Sequence, residues 1–236
     1  MQVIHANDRG LTRMGWLHSA HSFSFGSYFN PRRMGMSHLR VLNQDRVAPD
    51  QGFDTHPHND MEIVTYVLEG ALEHRDSMGN GSVLRPGEIQ YMCAGTGITH
   101  SEFNPSADEA GHFIQMWILP PRRRLAPSYA QKRIDLERCE GRLQLLVSPD
   151  GREDSIEMHQ EASLWVGRFS GAQQCTWELP EGRWAYLHVA RGSVMVNDVA
   201  LGPEDALEIR TAGPLRLHSG EGAEVLLWDL VGDDPE

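Results

Sequence analysis

Three short segments recur in the same order at long spacing, and this internal duplication limits the fold more than any other property of the chain. VLEGALEH (67–74) resembles HVARGSVMV (188–196), with Gly70 corresponding to Gly192. LRPGE (84–88) resembles LGPEDA (201–206), and AGTGITHSE (94–102) resembles AGPLRLHSG (212–220). Each set is followed by an apolar run holding a tryptophan, Trp117 or Trp228. One match alone is weak, but three in order indicate that one unit has been used twice.

The unit itself is built of strands. Between Gly52 and Leu119 lie the runs EIVTYVL, GALEH, SVLRP, EIQYM and HFIQMWIL, separated by Gly, Asn and Asp turns such as DSMGNGS. Many short β-type runs with little amphipathic helix predict a sandwich or barrel. A chain of 236 residues with 40% hydrophobic content can fill two such cores. The expected fold is therefore all-β, with two β-sandwich or barrel lobes in tandem, residues 1–130 and 131–236. The stretch PPRRRLAPSYAQKRIDL between them predicts a crossover with at most a short helix after Pro127.

Charge and composition remove several function classes. A formal charge of −12 repels phosphate backbones, so direct nucleic-acid binding is not expected. The cluster Arg122 to Arg124, behind two prolines, reads as a solvated connection. No apolar run nears the roughly 18 residues of a membrane span, and the start MQVIHANDRG lacks the apolar core of a secretory signal, so a cytoplasmic protein without membrane contact is expected. Cys93, Cys139 and Cys175 are odd in number and widely spaced, which argues against a disulfide framework. No phosphate-binding glycine loop or GxSxG nucleophile motif is present.

The chemistry concentrates in two short motifs. In FDTHPHNDME, His56 and His58 stand two apart, so on a strand both imidazoles project from one face. In ITHSEFN, His100 and Glu102 share that spacing and can add a third imidazole and a carboxylate from a second strand. Three nitrogens and one oxygen suit Fe(II), Mn(II), Ni(II), Cu(II) or Zn(II), with positions left for substrate. Glu62, four residues beyond His58, also faces that side if the strand is continuous, and spacing alone does not choose between Glu62 and Glu102. His5, His18, His21, His38, His74, His112, His159 and His188 have no partner at ligand spacing and read as surface or structural residues. Gln115 and Trp117 alternate on a strand that either lines the pocket or belongs to the core.

The spacing of His56, His58, Glu62 and Gly70, then Gly97, His100 and Asn104, resembles the two cupin motifs. More specifically, HPHNDMEIVTYVLEGALEHRDSMGNGSVLRPGEIQYMCAGTGITHSEFN resembles the pirin family, as do HSFSFGSYFNPRRMG and RVLNQDRVAP upstream. The resemblance covers about the first 135 residues, and the second half matches as a degenerate cupin repeat. It implies a bicupin of two jelly-roll-like lobes, with one divalent metal, expected to be Fe(II), held in the first lobe by His56, His58, His100 and Glu102. Glu62 then either supports the ligands from behind or is structural. It also implies dioxygenation of a flavonol such as quercetin, with O2 as co-substrate, ring cleavage and loss of carbon monoxide, and with Glu102 serving as ligand and proton acceptor. The family's other described role is a non-enzymatic iron-dependent regulator that binds a transcription factor or metabolic enzyme as a protein partner. Aligning Gly70 with Gly192 puts Glu178, Pro180 and Trp184 at the positions of His56, His58 and Glu62. Aligning the HS pairs puts His218 and Gly220 on His100 and Glu102. One metal per chain is the expectation.

Overall fold

Alternating side chains on extended backbone dictate nearly all of the computed structural model, which describes residues 1–234. In chain order its strands are β1 (Gln2–Ile4), β2 (Gly10–Arg13), β3 (Leu17–His21), β4 (Leu39–Val47), β5 (Gly52–His58), β6 (Glu62–Glu69), β7 (Leu72–Asp76), β8 (Gly81–Leu84), β9 (Glu88–Cys93), β10 (Ile98–Phe103), β11 (Gly111–Ile118) and β12 (Ser128–Arg133). They continue with β13 (Leu143–Ser148), β14 (Ile156–Glu157), β15 (Ser163–Phe169), β16 (Cys175–Leu179), β17 (Arg183–Val196), β18 (Val199–Leu201), β19 (Ala206–Ile209) and β20 (Gly213–Val231). No helix among the described residues is long and apolar enough to cross a membrane.

The strands form two units, one of Gly10–Ile134 and one of Met1–Arg9 together with the chain from Asp135 onward. The division expected after residue 130 thus moves to 134, and the first nine residues change sides. Two pairings cause this. β1 joins β19, with Gln2 opposite Glu208 and Ile4 opposite Ala206. The residues after Pro127 form β12 rather than a short helix, and Ser128–Arg133 runs antiparallel to β9. Tyr129 anchors that strand, accepting from Gln90 Nε2 at 2.9 Å and donating to Gln131 Oε1 at 3.1 Å. Helix propensity differs by under about 0.7 kcal/mol per ordinary residue, too little to resist a full row of ladder bonds.

In the first unit a seven-stranded sheet, β12-β9-β6-β11-β4-β3-β2, and a four-stranded sheet, β5-β10-β7-β8, join their inner faces. Leu17, Val47, Val67 and Phe113 meet Leu72 and Leu84 in one cluster, and Ile63, Met92 and Ala94 meet Ile98 in another. Each of the larger buried side chains among them contributes about 1.5–3 kcal/mol.

The second unit repeats the plan with longer, bent strands. Gly70 and Gly192 both have φ +68°, where a side chain would press on a neighbouring carbonyl, Ala110 O or Gly222 O. Four residues beyond these glycines, His74 pairs with Glu102 and Val196 with Leu217. His100 pairs with His56 as Leu215 pairs with Trp177, and Ile98 with His58 as Gly213 with Leu179. The register therefore sets Trp177, Leu179, Leu215 and Leu217 at the positions of His56, His58, His100 and Glu102. This corrects the sequence alignment that put Glu178, Pro180 and His218 there. Leu179, Leu215 and Leu217 belong to the second unit's core and Trp177 packs against it, so none of the four can ligate a cation. His218 sits one residue beyond the equivalent of Glu102 and hydrogen-bonds with Asn197 O at 3.0 Å.

Candidate metal centre

β5 and β10 are hydrogen-bonded neighbours, with His56 directly opposite His100 and His58 opposite Ile98. The three imidazoles close into a triangle, with ring centroids 4.5 Å (His56–His100), 4.8 Å (His58–His100) and 4.9 Å (His56–His58) apart. One ring nitrogen from each lies within 4.8 Å of the others, and His100 Nε2 is 3.0 Å from His56 Nε2. Metal–nitrogen bonds of roughly 2.0–2.1 Å place neighbouring ligand nitrogens about that far apart. His58 Nε2 is buried with no hydrogen-bond partner, a situation that costs about 1–3 kcal/mol unless something meets the atom. An orphaned nitrogen aimed into a triangle of imidazoles fits a divalent cation.

Glu102 is 2% exposed on the same strand as His100. Gln115 Nε2 donates to both of its carboxylate oxygens, at 2.9 and 3.0 Å, while Gln115 Oε1 accepts from Trp117 Nε1 at 3.0 Å. An indole N–H can only donate, so Trp117 turns the Gln115 carbonyl toward itself and the amide NH2 toward Glu102. Both residues line the cavity in front of the site, which resolves the choice the sequence left open for them. Glu62 points elsewhere. The chain breaks between β5 and β6, where Asp60 has φ +48°, so the strand is not continuous and the spacing of Glu62 from His58 does not carry it to the same side. Glu62 is buried and accepts the Tyr91 hydroxyl at 2.6 Å.

A second chain of contacts runs behind His100. His100 Nδ1 lies 3.3 Å from His74 Nδ1, and His74 Nε2 lies 3.2 Å from Asp76 Oδ2. The side chains of His74 and Asp76 are fully buried. A carboxylate only accepts, so His74 donates its Nε2 proton to Asp76 and its Nδ1 lone pair receives the proton of His100 Nδ1. That leaves His100 Nε2 bare and facing His56. Burial acts against the Asp76 carboxylate, yet bonds from the Asn80 side chain and backbone, His74 and the Met78 amide hold its pKa below the ordinary value. His74, His100 and Glu102 also have donor atoms within 4.8 Å of one another, but both nitrogens of His74 are already engaged. Sequence reasoning missed His74 as part of the site. Its one signal was the His74-x-Asp76 alternation on a strand, which needs the pairing partner 26 residues away to acquire meaning.

The electrostatics keep the triangle ready for a cation. Burial, then the neighbouring His100 and His56, pull the pKa of His58 down to about 4, against the opposing pull of Glu102. Burial, then His56 and His74, pull His100 down to about 3. Unfolded imidazoles take up protons near pH 6.5 while these stay neutral, so the unfolded state binds more protons as the pH falls. The metal-free protein is expected to lose stability as pH falls from 6.5 toward 4. Urea midpoints measured at several pH values should show a shallower slope in His58→Ala, and equal slopes would refute the contribution.

His56, His58 and Glu102 open onto a cavity of about 380 Å³ within the first unit. Met14, Leu17, Phe25, Phe53 and Trp117 supply its apolar walls. Trp117 meets His58 edge-on at 4.9 Å and Phe25 at 5.3 Å.

Known proteins are similar to this chain over nearly its whole length. The pirin family model matches residues 4–118, and one described as the quercetinase C-terminal cupin domain matches residues 145–230. A protein of Escherichia coli (strain K12) called quercetin 2,3-dioxygenase is 44% identical over 225 residues, covering 95% of this chain and 96% of its own. The crystal structure of the bacterial pirin YhhW in complex with nickel(II), from Escherichia coli, matches with a TM-score of 0.93 and 42% identity, over 98% of this chain and 99% of that one. A quercetin 2,3-dioxygenase structure from Acinetobacter baumannii, 22% identical with a TM-score of 0.80 over 100% of this chain and 88% of that one, shares the fold. Matches to the pirin model and to the C-terminal cupin model, and relatives of this closeness along nearly the whole length, make the chain a member of the pirin family.

Proposed function

We propose that this protein is a metal-dependent dioxygenase that cleaves a flavonol such as quercetin, with one ion, Fe(II), held by His56, His58, His100 and Glu102. The observation that carries the reading is the triangle of His56, His58 and His100 at a cavity that His56, His58 and Glu102 line together with Phe25, Phe53 and Trp117. The 44% identical relative called quercetin 2,3-dioxygenase supports the reaction, and the nickel(II) complex of a 42% identical pirin supports a divalent ion.

The bound ion would supply Lewis acidity toward a substrate hydroxyl and a redox route to O2. The chain does the rest. His56, His58 and His100 would hold the ion, and the cavity that His56 and His58 line would receive the substrate. Phe25, Phe53 and Trp117 bury the substrate rings and exclude water. Glu102, its carboxylate oriented by Gln115, takes the proton of the substrate hydroxyl onto an oxygen facing the cavity.

The test is aerobic turnover of quercetin by protein loaded separately with Fe(II), Mn(II), Ni(II), Cu(II) and Zn(II), with metal content and carbon monoxide quantified. Metal-dependent carbon monoxide release, highest with Fe(II), is the expected result. Glu102→Gln should keep the fold and lower turnover about 100-fold, the usual worth of a positioned proton acceptor. Unchanged turnover in a fully loaded variant would remove Glu102 from that role. Stoichiometric metal with no turnover in any form would overturn the reaction.

A further inference from the structure

Residues 22–38 join β3 to β4, a connection longer than the roughly 12–15 residues beyond which loops are uncommon and usually functional. It opens with a tight hairpin. Phe25 and Tyr28 exchange two backbone hydrogen bonds of 3.0 Å, and Gly26 at the tip has φ +56°, with open space where a side chain would stand. The base of the hairpin is tied down. Ser24 Oγ accepts the Asn30 amide and donates to the Asn30 carbonyl, both at 2.9 Å. Arg33 donates to the Ser22 carbonyl and Arg40 to that of Ser24.

This hairpin carries Phe25 to a wall shared by two cavities. The cavity of about 380 Å³ that His56, His58 and Glu102 line and an outer one of about 330 Å³ have Phe25, Gly26 and Trp117 in common. Phe29, Met34, Val41 and Met61 line the outer one alone. Two neighbours hold the Phe25 ring, His21 at 5.3 Å and Trp117, met edge-on, at 5.3 Å. Both are themselves fixed. The ring nitrogens of His21 lie 2.8 Å from Asn43 Oδ1 and 2.8 Å from Thr12 Oγ1, and Trp117 Nε1 donates to Gln115.

We propose that Phe25 is a specificity-determining residue that sets the length of ligand the inner cavity accepts. It admits a compact aromatic molecule and stops an unbranched apolar extension that would otherwise run on into the outer cavity. This rests on the reading of the inner cavity as the ligand site. The outer lining is the right kind to reward such an extension, since Phe29, Met34, Val41 and Met61 are all apolar. Each methylene buried there is worth about 4-fold in affinity. A single ring in the shared wall therefore decides whether that gain is available.

The experiment uses the full chain, with and without Zn(II), and 4-alkylphenols with chains of one to seven carbons. Zn(II) has no redox chemistry, so the probes bind without reacting. Dissociation constants are read by calorimetry, and ratios are taken within each protein so that any change in contact with the phenol ring cancels. Wild-type affinity should rise with the first methylenes and then level off. In Phe25→Ala the rise should continue, so that the heptyl-to-propyl ratio exceeds that of wild type by about 10-fold or more. Phe25→Leu, which keeps much of the bulk, should lie between. Adding Phe29→Ser and Met34→Ser to Phe25→Ala should return the ratio toward the wild-type value, because those two side chains line only the outer cavity. They are 72% and 41% exposed, so the fold does not depend on them. The same pair in the wild-type background should leave its ratio unchanged. A wild type that binds none of the phenols or keeps gaining through heptyl overturns the assignment. So does a Phe25→Ala ratio that equals the wild-type one or ignores Phe29 and Met34. Absence of quercetin turnover with the chain-length limit intact would sink dioxygenation and leave the role of Phe25 standing.

Discussion

His58→Ala protein is expected to bind no stoichiometric metal and to release no carbon monoxide from quercetin, while its metal-free form remains folded. The variant removes one of three nitrogens that lie within 4.8 Å of one another, so an ion would keep only two imidazoles and Glu102. The cost to the metal-free fold is small because two changes oppose each other. Packing against Trp117 is lost, but so is a buried nitrogen without a hydrogen-bond partner, whose desolvation costs about 1–3 kcal/mol. Unfolding free energies of the metal-free variant and wild type should therefore agree within about 1 kcal/mol by this balance. A free ion at 100 times its dissociation constant should stabilise wild type by about 2.7 kcal/mol and the variant not at all. Elemental analysis and urea unfolding with and without metal check all three statements. A variant retaining one ion per chain at wild-type affinity would take His58 out of the site.

The second large effect is expected at a residue that does not touch the cavity. His74→Phe keeps a ring against Tyr129 and His100, which lie 5.1 Å away on either side, but removes the acceptor for His100 Nδ1–H. His100 is then free to move its proton to Nε2, the nitrogen that faces His56, and each molecule in that form has a donor where a lone pair is needed. Loss of such a supporting bond typically weakens metal binding by 10- to 100-fold. Chelator competition measures the affinity. Nitrogen-15 spectra of the metal-free protein read the tautomer directly, which separates this effect from general loosening. A wild-type affinity together with an unchanged His100 tautomer would mean that the Asp76–His74 chain only packs.

That His56, His58 and His100 come together was legible because strand periodicity is two. His56 and His58, like His100 and Glu102, alternate on single strands, and the structure brings the two strands side by side. The turn DSMGNGS was legible too, since Asp76 Oδ1 accepts the Met78 and Asn80 amides in it. What failed depended on partners remote in sequence. The stretch after Pro127 reads as a crossover with at most a short helix and becomes β12 because the free edge of β9 takes it. His74 reads as an isolated histidine until the register of β7 on β10 sets it opposite Glu102. Matching the HS pairs of the two halves misplaced the second unit's register, because the connections differ in length: Glu102 stands 32 residues after Gly70, whereas Leu217 stands 25 after Gly192.

The pairing of β1 with β19 sets a condition on how the protein can be handled. Gln2–Ile4 and Ala206–Ile209 close a loop of about 200 residues, tightened by the Ala6 amide donating to Asp205 Oδ1 at 2.8 Å. Contacts so distant along the chain form late in folding. Expressing residues 135 to 236 alone would leave the outer edge of β19 bare, an open template for intermolecular strand addition. Cutting the chain at the boundary between its halves therefore yields one self-sufficient piece and one prone to self-association, even though the two were built from the same pattern.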